Sequence, residues 1–167
     1  MSKTENNLKE AFAGESQANR KYTAFAKKAE AEGYKGVAKL FRAAAAAETV
    51  HALKHLDVLK GVGGTLENLK AAYSGEHHEF SSMYPQFIED AKAEKNSAAL
   101  LSFNWANAVE KIHGDLYDKA IKAMEAGNPI PEKDYYICPK CGYTIEDAAP
   151  DKCPVCGAKK DEFFLAD

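Results

Sequence analysis

Four glutamates recur through the first 115 residues at places where a carboxylate should not be: Glu15, Glu48, Glu76 and Glu110. Two of them are followed three residues later by histidine, as Glu48-x-x-His51 and Glu110-x-x-His113, and Glu76 is followed by Glu79. Each lies on the apolar stripe of a segment with helical periodicity. Ionisable groups converging on one hydrophobic core destabilise it unless a cation neutralises them. A pair of metal ions does so. One Glu from each of two helices, plus Glu-x-x-His from each of two others, is the inward-facing ligand set of di-metal helical bundles. A lone Glu-x-x-His is more often a solvated surface pair. Two of them, with Glu15 and Glu76 on matching stripes, are hard to obtain by chance. For Glu79 the bland reading is a surface carboxylate balancing a lysine; its i+3 relation to Glu76 on the apolar stripe favours a ligand.

A second constellation follows residue 137. All four cysteines, Cys138, Cys141, Cys153 and Cys156, form two Cys-x-x-Cys-Gly knuckles with 11 residues between them. In a reducing compartment this pattern means metal more often than disulfide. Tetrahedral sulfur coordination suits zinc, which would be structural, and iron, which would move electrons. The spacing alone does not separate them.

The elements that must position these residues are four long amphipathic helices. Helix A runs from about Thr4 to Glu32, with Ser2 and Glu5 at capping-box spacing and Gly33 as its stop. Helix B runs from about Lys35 to Lys60 and is ended by Gly61, Gly63 and Gly64. Helix C opens at Thr65 as N-cap and continues to about Glu94, with a kink expected at Pro85. Helix D runs from about Asn96 to Ala126. The stripes are Leu8, Phe12, Glu15, Ala18, Tyr22 and Phe25 in A, and Val37, Phe41, Ala44, Glu48, His51, His55 and Val58 in B. Helix C carries Leu69, Ala72, Glu76, Glu79, Met83 and Phe87. Helix D carries Phe103, Ala106, Glu110, His113, Tyr117, Ile121 and Met124. The run Ala43 to Ala47 favours helix and lets a neighbour approach closely. His55 reads as a neighbour of the ligands and partly exposed, and His77 and His78 as surface residues. Tyr22, Tyr84 and Tyr117 lie one to two turns from the ligands and are as well explained as core aromatics.

A weak internal repeat runs through this region. Ala11-Phe-Ala-Gly-Glu15 matches Ala72-Tyr-Ser-Gly-Glu76 at an offset of 61, and Glu48-x-x-His51 matches Glu110-x-x-His113 at 62. Two hairpins related by a pseudo-twofold axis, with the metals on it, would make Glu15 and Glu76 equivalent. Glu79 then has no counterpart, because Ala18 stands at the matching place. After Gly127 the composition changes to a linker, 127–134, stiffened by Pro129 and Pro131. The division expected is therefore a helical domain over 1–126, a linker over 127–134 and a small metal domain over 135–167.

The net charge is −3, so there is no basic footprint for nucleic acid. The polar N-terminus has no secretory h-region, and no apolar run approaches a membrane span. These readings point to the cytoplasm, with no membrane or nucleic-acid partner.

A Glu/Glu-x-x-His bundle followed by a four-cysteine module resembles the rubrerythrin family, along essentially the whole chain. The residues that carry the likeness are AFAGES (11–16), AETVHA (47–52), GEHHEFSSMYPQF (75–87), EKIHGDLY (110–117), YICPKCGY (136–143) and CPVCGA (153–158). The resemblance implies a mainly α fold, a ferritin-like four-helix bundle with a carboxylate-bridged di-iron site, and a rubredoxin-like domain with a tetrathiolate iron. It implies reduction of hydrogen peroxide to water, with electrons relayed through the tetrathiolate iron from a protein donor, a rubredoxin or an NAD(P)H-linked reductase. It implies Glu48 and Glu110 as bridging carboxylates, Glu15 and Glu76 as terminal ligands and His113 on the second iron. Glu79 and His51 are implied as the pair that exchange on the first iron when the redox state changes. A neutral imidazole in place of a carboxylate favours the ferrous state by charge. The runner-up activity is ferroxidase or iron handling with oxygen; a zinc-stabilised interaction protein is the reading from a non-enzyme class.

Reach sets two further expectations. The linker 127–134 spans at most about 28 Å, and helix D carries the chain about 25 Å beyond Glu110. A return to that site would need nearly the whole reach, and Pro129 and Pro131 disfavour a tight reversal, so the tetrathiolate is expected to serve a di-iron site other than the one its own helix D lines. The B–C connection Gly61–Gly64 reaches about 14 Å, too short for the return along helix B that a ferritin-like bundle requires. A homodimer is therefore expected, domain-swapped or head to tail, the swapped form exchanging helical hairpins; the alternative is an up-down-up-down bundle within one chain.

Overall fold

The structure is a computed structural model and describes residues 2–128 and 131–166. The stiffening assigned to Pro129 falls outside the described residues. The chain packs as two compact units, Met1–Gly63 and Gly64–Asp167. No helix among the described residues is long and apolar enough to cross a membrane.

The first unit is a hairpin of α1 (Lys3–Ala31) and α2 (Lys35–Val58). Its seam is made of small side chains: Ala26, Ala29, Ala38, Ala45 and Ala52 are buried. That is what the alanine-rich sequence makes possible, a close approach of two backbones. Asn19, also buried, locks the register by donating to Ala45 O at 2.7 Å and to Thr49 Oγ1 at 2.8 Å. The larger stripe residues lie off this seam. Phe25 is 46% exposed and Val58 52%, so the hairpin by itself does not bury its apolar face.

Capping chemistry explains the ends. Ser2 Oγ accepts from Glu5 N–H, as the spacing predicts. Gly33 takes φ 87°, and Tyr34 N–H closes on Ala29 O. At the end of α2 the left-handed residue is Lys60 (φ 53°), and not one of the three glycines. Gly61 makes room of a different kind: a Cβ there would meet Leu56 Cδ1 at 2.3 Å, so the Leu56 side chain would have to move. Thr65 is not the N-cap of the next helix. Gly64 is, and its N–H is taken by the Glu67 carboxylate at 2.8 Å.

The second unit begins with one long helix in three parts: α3 (Thr65–His78), a π-helical turn (Glu79–Met83) and α4 (Tyr84–Ala93). α5 (Ser97–Glu125) folds back along it, capped by Asn96 Oδ1 accepting from Ala99 N–H. In place of a simple proline kink, a wide turn precedes Pro85, with Tyr84 N–H donating to Glu79 O. The repeat explains it. Glu15 and Glu76 are 61 apart, but Tyr22 and Tyr84, Phe25 and Phe87, and Phe41 and Phe103 are each 62 apart. One residue has been inserted between Glu76 and Tyr84, and a π-turn absorbs one extra residue without rotating its flanks. The two aromatic triads keep matching geometry: Phe25–Phe41 and Phe87–Phe103 centroids are both 5.5 Å apart, and Tyr22–Phe41 and Tyr84–Phe103 both 6.2 Å.

The same unit ends in a small antiparallel sheet, order β2-β1-β3, of β1 (Tyr135–Ile137), β2 (Thr144–Glu146) and β3 (Phe164–Leu165). Its core is Cys138, Cys153 and Ala158, flanked by Tyr143, Val155 and Phe163. This module returns onto α5. Gly142 backs onto fully buried Val109, Lys140 Nζ sits 5.5 Å over the Trp105 ring, and Lys119 pairs with Glu146. The expectation that the tetrathiolate serves a di-iron site other than the one its own helix D lines is therefore overturned. The linker's reach of about 28 Å already covers the return of about 25 Å. β1 continues the return by about 10 Å, at roughly 3.3 Å per residue.

Candidate metal centres

The helices gather the acidic residues into two matching clusters. In the first unit, Glu15, Glu48 and His51 have ligand atoms within 4.8 Å of one another; in the second, Glu76, Glu110 and His113 do. His51 Nδ1 lies 2.9 Å from Glu48 Oε2, and His113 Nδ1 lies 2.9 Å from Glu110 Oε2 and 3.8 Å from Glu76 Oε2. The i,i+3 spacing puts each histidine and its glutamate on one helical face. Glu79 is half-buried at the start of the π-turn and is not part of either cluster. His77 and His78 are exposed, and His55 is partly buried.

The electrostatics are those of a site built for cations. Burial raises the Glu76 carboxyl above its usual range, and a hydrogen bond to Glu110 and that group's charge raise it further, with His113 opposing. Without a cation beside it, the Glu76 carboxyl therefore keeps its proton more readily than a free one. Burial also pushes up the phenols of Tyr84 and Tyr117, and nearby Glu76 and Glu110 add to it. A hard, oxygen- and imidazole-binding cation fits this donor set.

Two residues missed by sequence reasoning shape the second cluster. Gly114 lets α5 approach the π-turn: a Cβ there would lie 3.2 Å from Phe80 Cε1 and 3.9 Å from Glu76 Cβ. Its mid-helix position beside His113 was the available signal. Thr144, from β2, lies 3.0 Å from His113 Nε2. Nothing in the sequence pairs residues 31 apart.

The four cysteine sulfurs also lie within 4.8 Å of one another, with Cys138–Cys156 and Cys141–Cys153 both 3.5 Å apart. A disulfide would be about 2.05 Å. A tetrahedral ion with metal–sulfur bonds of about 2.3 Å needs sulfurs about 3.8 Å apart, which these nearly meet. Burial raises the Cys141 and Cys156 thiols. Cys153 falls despite its burial, because the backbone N–H groups of Cys156 and Val155 point at its sulfur. Amides aimed at sulfur stabilise thiolate, the form that binds metal.

Comparison with known proteins agrees with this geometry. Residues 6–121 match the family described as Rubrerythrin, and residues 136–164 the one described as Rubrerythrin, rubredoxin-like domain. The chain is 35% identical to Rubrerythrin-2 of Clostridium acetobutylicum over 170 residues, covering 93% of this chain and 92% of that protein. It is 39% identical to nigerythrin of Nitratidesulfovibrio vulgaris over 172 residues, covering 94% and 83%. A solved structure of fully reduced, all-ferrous nigerythrin superposes with a TM-score of 0.59 at 35% identity, over 99% of this chain and 88% of that one. The fold is thus a ferritin-like helical region followed by a rubredoxin-like domain, with a di-iron site in the first and a thiolate-bound iron in the second. Carboxylate–histidine clusters on paired helices, a four-cysteine module behind them and relatives matched along nearly the whole length place this chain in the rubrerythrin family.

Proposed function

We propose that this chain is a non-haem di-iron peroxidase that reduces hydrogen peroxide to water, supplied with electrons through its tetrathiolate iron. The observation that carries the reading is the docking of the four-cysteine module directly on the helix that bears Glu110 and His113. An electron relay needs that proximity; a structural zinc ribbon does not. Two ferrous ions, when bound, supply the two electrons that split the O–O bond, and two protons complete two waters. The chain's own groups hold those ions and keep their charge balanced.

In this reading Glu15, Glu48, Glu76, Glu110 and His113 would hold the two metals, Glu48 and Glu110 as carboxylates shared between them, Glu15 and Glu76 each on one, and His113 on the second through Nδ1. Glu79 and His51 are the exchanging pair. His51, 57% exposed on its side chain, has freedom to move. The π-turn gives Glu79 a place that the first hairpin lacks. The four thiolates of Cys138, Cys141, Cys153 and Cys156 hold the relay iron. The domain division is 1–126, 127–134 and 135–167, and the donor is a rubredoxin or an NAD(P)H-linked reductase in the cytoplasm.

The two clusters become one site in a homodimer that exchanges hairpins. Each hairpin carries three of the residues in this reading, none of them fully buried. α2 is about 36 Å long at 1.5 Å per residue, and the connection 59–64 extends at most about 22 Å. A chain that cannot return along α2 can hand its second hairpin to a neighbour, a low-cost route to a dimer. Anaerobically reduced protein, mixed with hydrogen peroxide or with oxygen and ferrous ion in parallel, tests the activity. Turnover with peroxide far above that with oxygen and ferrous ion is the expected result. The reverse order would replace the peroxidase with a ferroxidase.

A further inference from the structure

We propose that Thr144 is the positioning residue for His113, fixing which imidazole nitrogen faces the di-iron site and joining that site to the cysteine module. The inference rests on the reading of His113 as a metal ligand.

Two contacts decide the argument. Thr144 Oγ1 lies 3.0 Å from Gly142 O and 3.0 Å from His113 Nε2. A threonine hydroxyl has one hydrogen and can donate or accept. A carbonyl can only accept, so the hydroxyl hydrogen goes to Gly142 O. Thr144 Oγ1 is then left as an acceptor, and His113 must present N–H at Nε2. Nδ1, 2.9 Å from Glu110 and 3.8 Å from Glu76, is then the nitrogen left for a cation: without one it gives its N–H to the Glu110 carboxylate, and a bound metal would displace that proton and take the lone pair. Metal-bound histidines need such a partner on the far nitrogen to set tautomer and ring orientation. A hydroxyl alone would leave the tautomer open; the Gly142 carbonyl removes that ambiguity.

The same bond spans the two centres. Gly142 follows Cys141 directly and gives its N–H to Cys138 O at 2.9 Å. From the Cys141 sulfur, the path runs through the Gly142 carbonyl, the Thr144 hydroxyl and His113 Nε2, with two hydrogen bonds and otherwise covalent bonds. An apolar hollow of about 450 Å³, lined in part by Leu69, Leu116, Tyr117, Tyr135 and Ile137, adjoins both residues. Apolar walls strengthen a hydrogen bond beside them. An electron leaving the cysteine iron therefore has a bonded route whose middle link is one side chain.

The test uses full-length protein with its cysteine iron in place and measures ferrous affinity at the di-iron site anaerobically against a competing chelator. Thr144→Val is expected to weaken binding about 10–100-fold, the usual cost of losing such a partner. Thr144→Ser should restore affinity to near wild type, and the visible spectrum of the oxidised cysteine iron should not change. After a pulse of reductant, transfer from the cysteine iron to the di-iron site should slow at least about tenfold in Thr144→Val and recover in Thr144→Ser. If Thr144→Val loses the cysteine chromophore, Thr144→Ala takes its place. Wild-type affinity in the Val or Ala variant, or a Ser variant as weak as Val, would overturn the proposal. His113→Ala separates the premises. Binding that survives His113→Ala removes the ligand reading itself, whereas binding lost there but intact in Thr144→Val removes only the role of Thr144.

Discussion

Gly114 offers a quantitative check on how closely the second cluster is assembled. It is buried one residue after His113, and a Cβ there would stand 3.2 Å from Phe80 Cε1. Carbon pairs are most favourable at about 3.5–4.0 Å, so Gly114→Ala requires the Phe80 ring to give by a few tenths of an ångström. Overpacking of this kind costs about 1–3 kcal/mol. Replacing glycine by alanine inside a helix gains about 1 kcal/mol. The net for Gly114→Ala is a loss of about 0–2 kcal/mol. Gly114→Val drives further methyl groups toward the ring and gives back part of the helical gain through β-branching. A net loss of about 2–3 kcal/mol is expected, a urea midpoint lower by about 1 M at a slope near 2 kcal/mol/M. Because the contact sets the spacing of α5 from the π-turn, ferrous affinity at the Glu76, Glu110 and His113 cluster should fall with it. A Gly114→Val midpoint equal to wild type would refute the packing argument. Lost stability with unchanged affinity would refute the link from packing to site.

Four further outcomes test other parts of the account. Mixing Glu15→Ala with Glu110→Ala under subunit exchange should restore up to about a quarter of wild-type peroxidase activity. Half of the dimers are then mixed, and a hairpin swap leaves one of their two sites intact; no recovery in verified mixed dimers would exclude the swap. Deleting Ser82 should turn the π-turn into ordinary α-helix, keeping helical content and the Tyr84–Phe103 contact but displacing Glu79. Circular dichroism showing a large loss of helix would contradict the insertion reading. In metal-free protein the raised Glu76 carboxyl makes the folded state bind more protons than the unfolded one above about pH 4.5. Its contribution to stability is thus present at lower pH and lost as pH rises through the raised value. Metal-free wild type should lose melting temperature relative to Glu76→Gln between pH 4.5 and 7, and parallel curves would refute the shift. Cys138→Ser should abolish steady turnover with a protein donor while a chemically reduced di-iron site is still oxidised once by peroxide; undiminished turnover would remove the relay.

The clustering of these side chains was legible because the chemistry needs particular residue types at helical spacings. Glu48-x-x-His51 and Glu110-x-x-His113 bring their side chains together through local geometry, whatever the tertiary packing. Helix extents were legible for a similar reason: the ends lie within two residues of those expected. The errors at these ends concern which residue caps. Lys60 takes the left-handed position beside three glycines, and Gly64 rather than Thr65 caps α3, because Glu67 satisfies its N–H. The internal repeat was legible, and its change of offset from 61 to 62 held the insertion in plain view. That the extra residue became a π-turn containing Glu79 was decided by packing, since the residues on either side had to keep their faces toward α5.

By itself, then, the sequence determined the four helices, the two carboxylate–histidine clusters and the thiolate knuckles. Each follows from short-range periodicity, where neighbours in space are three or four residues apart. Only the tertiary structure decided that the cysteine module returns to α5, that Gly114 admits the π-turn, and that Thr144 meets His113. Those contacts join residues 31 or more apart, as for Thr144, or depend on the absence of a single Cβ, as for Gly114. No periodicity encodes them. They arise when apolar surfaces on α5 and the module are buried together, and the polar groups at the seam must find partners in the geometry that burial imposes.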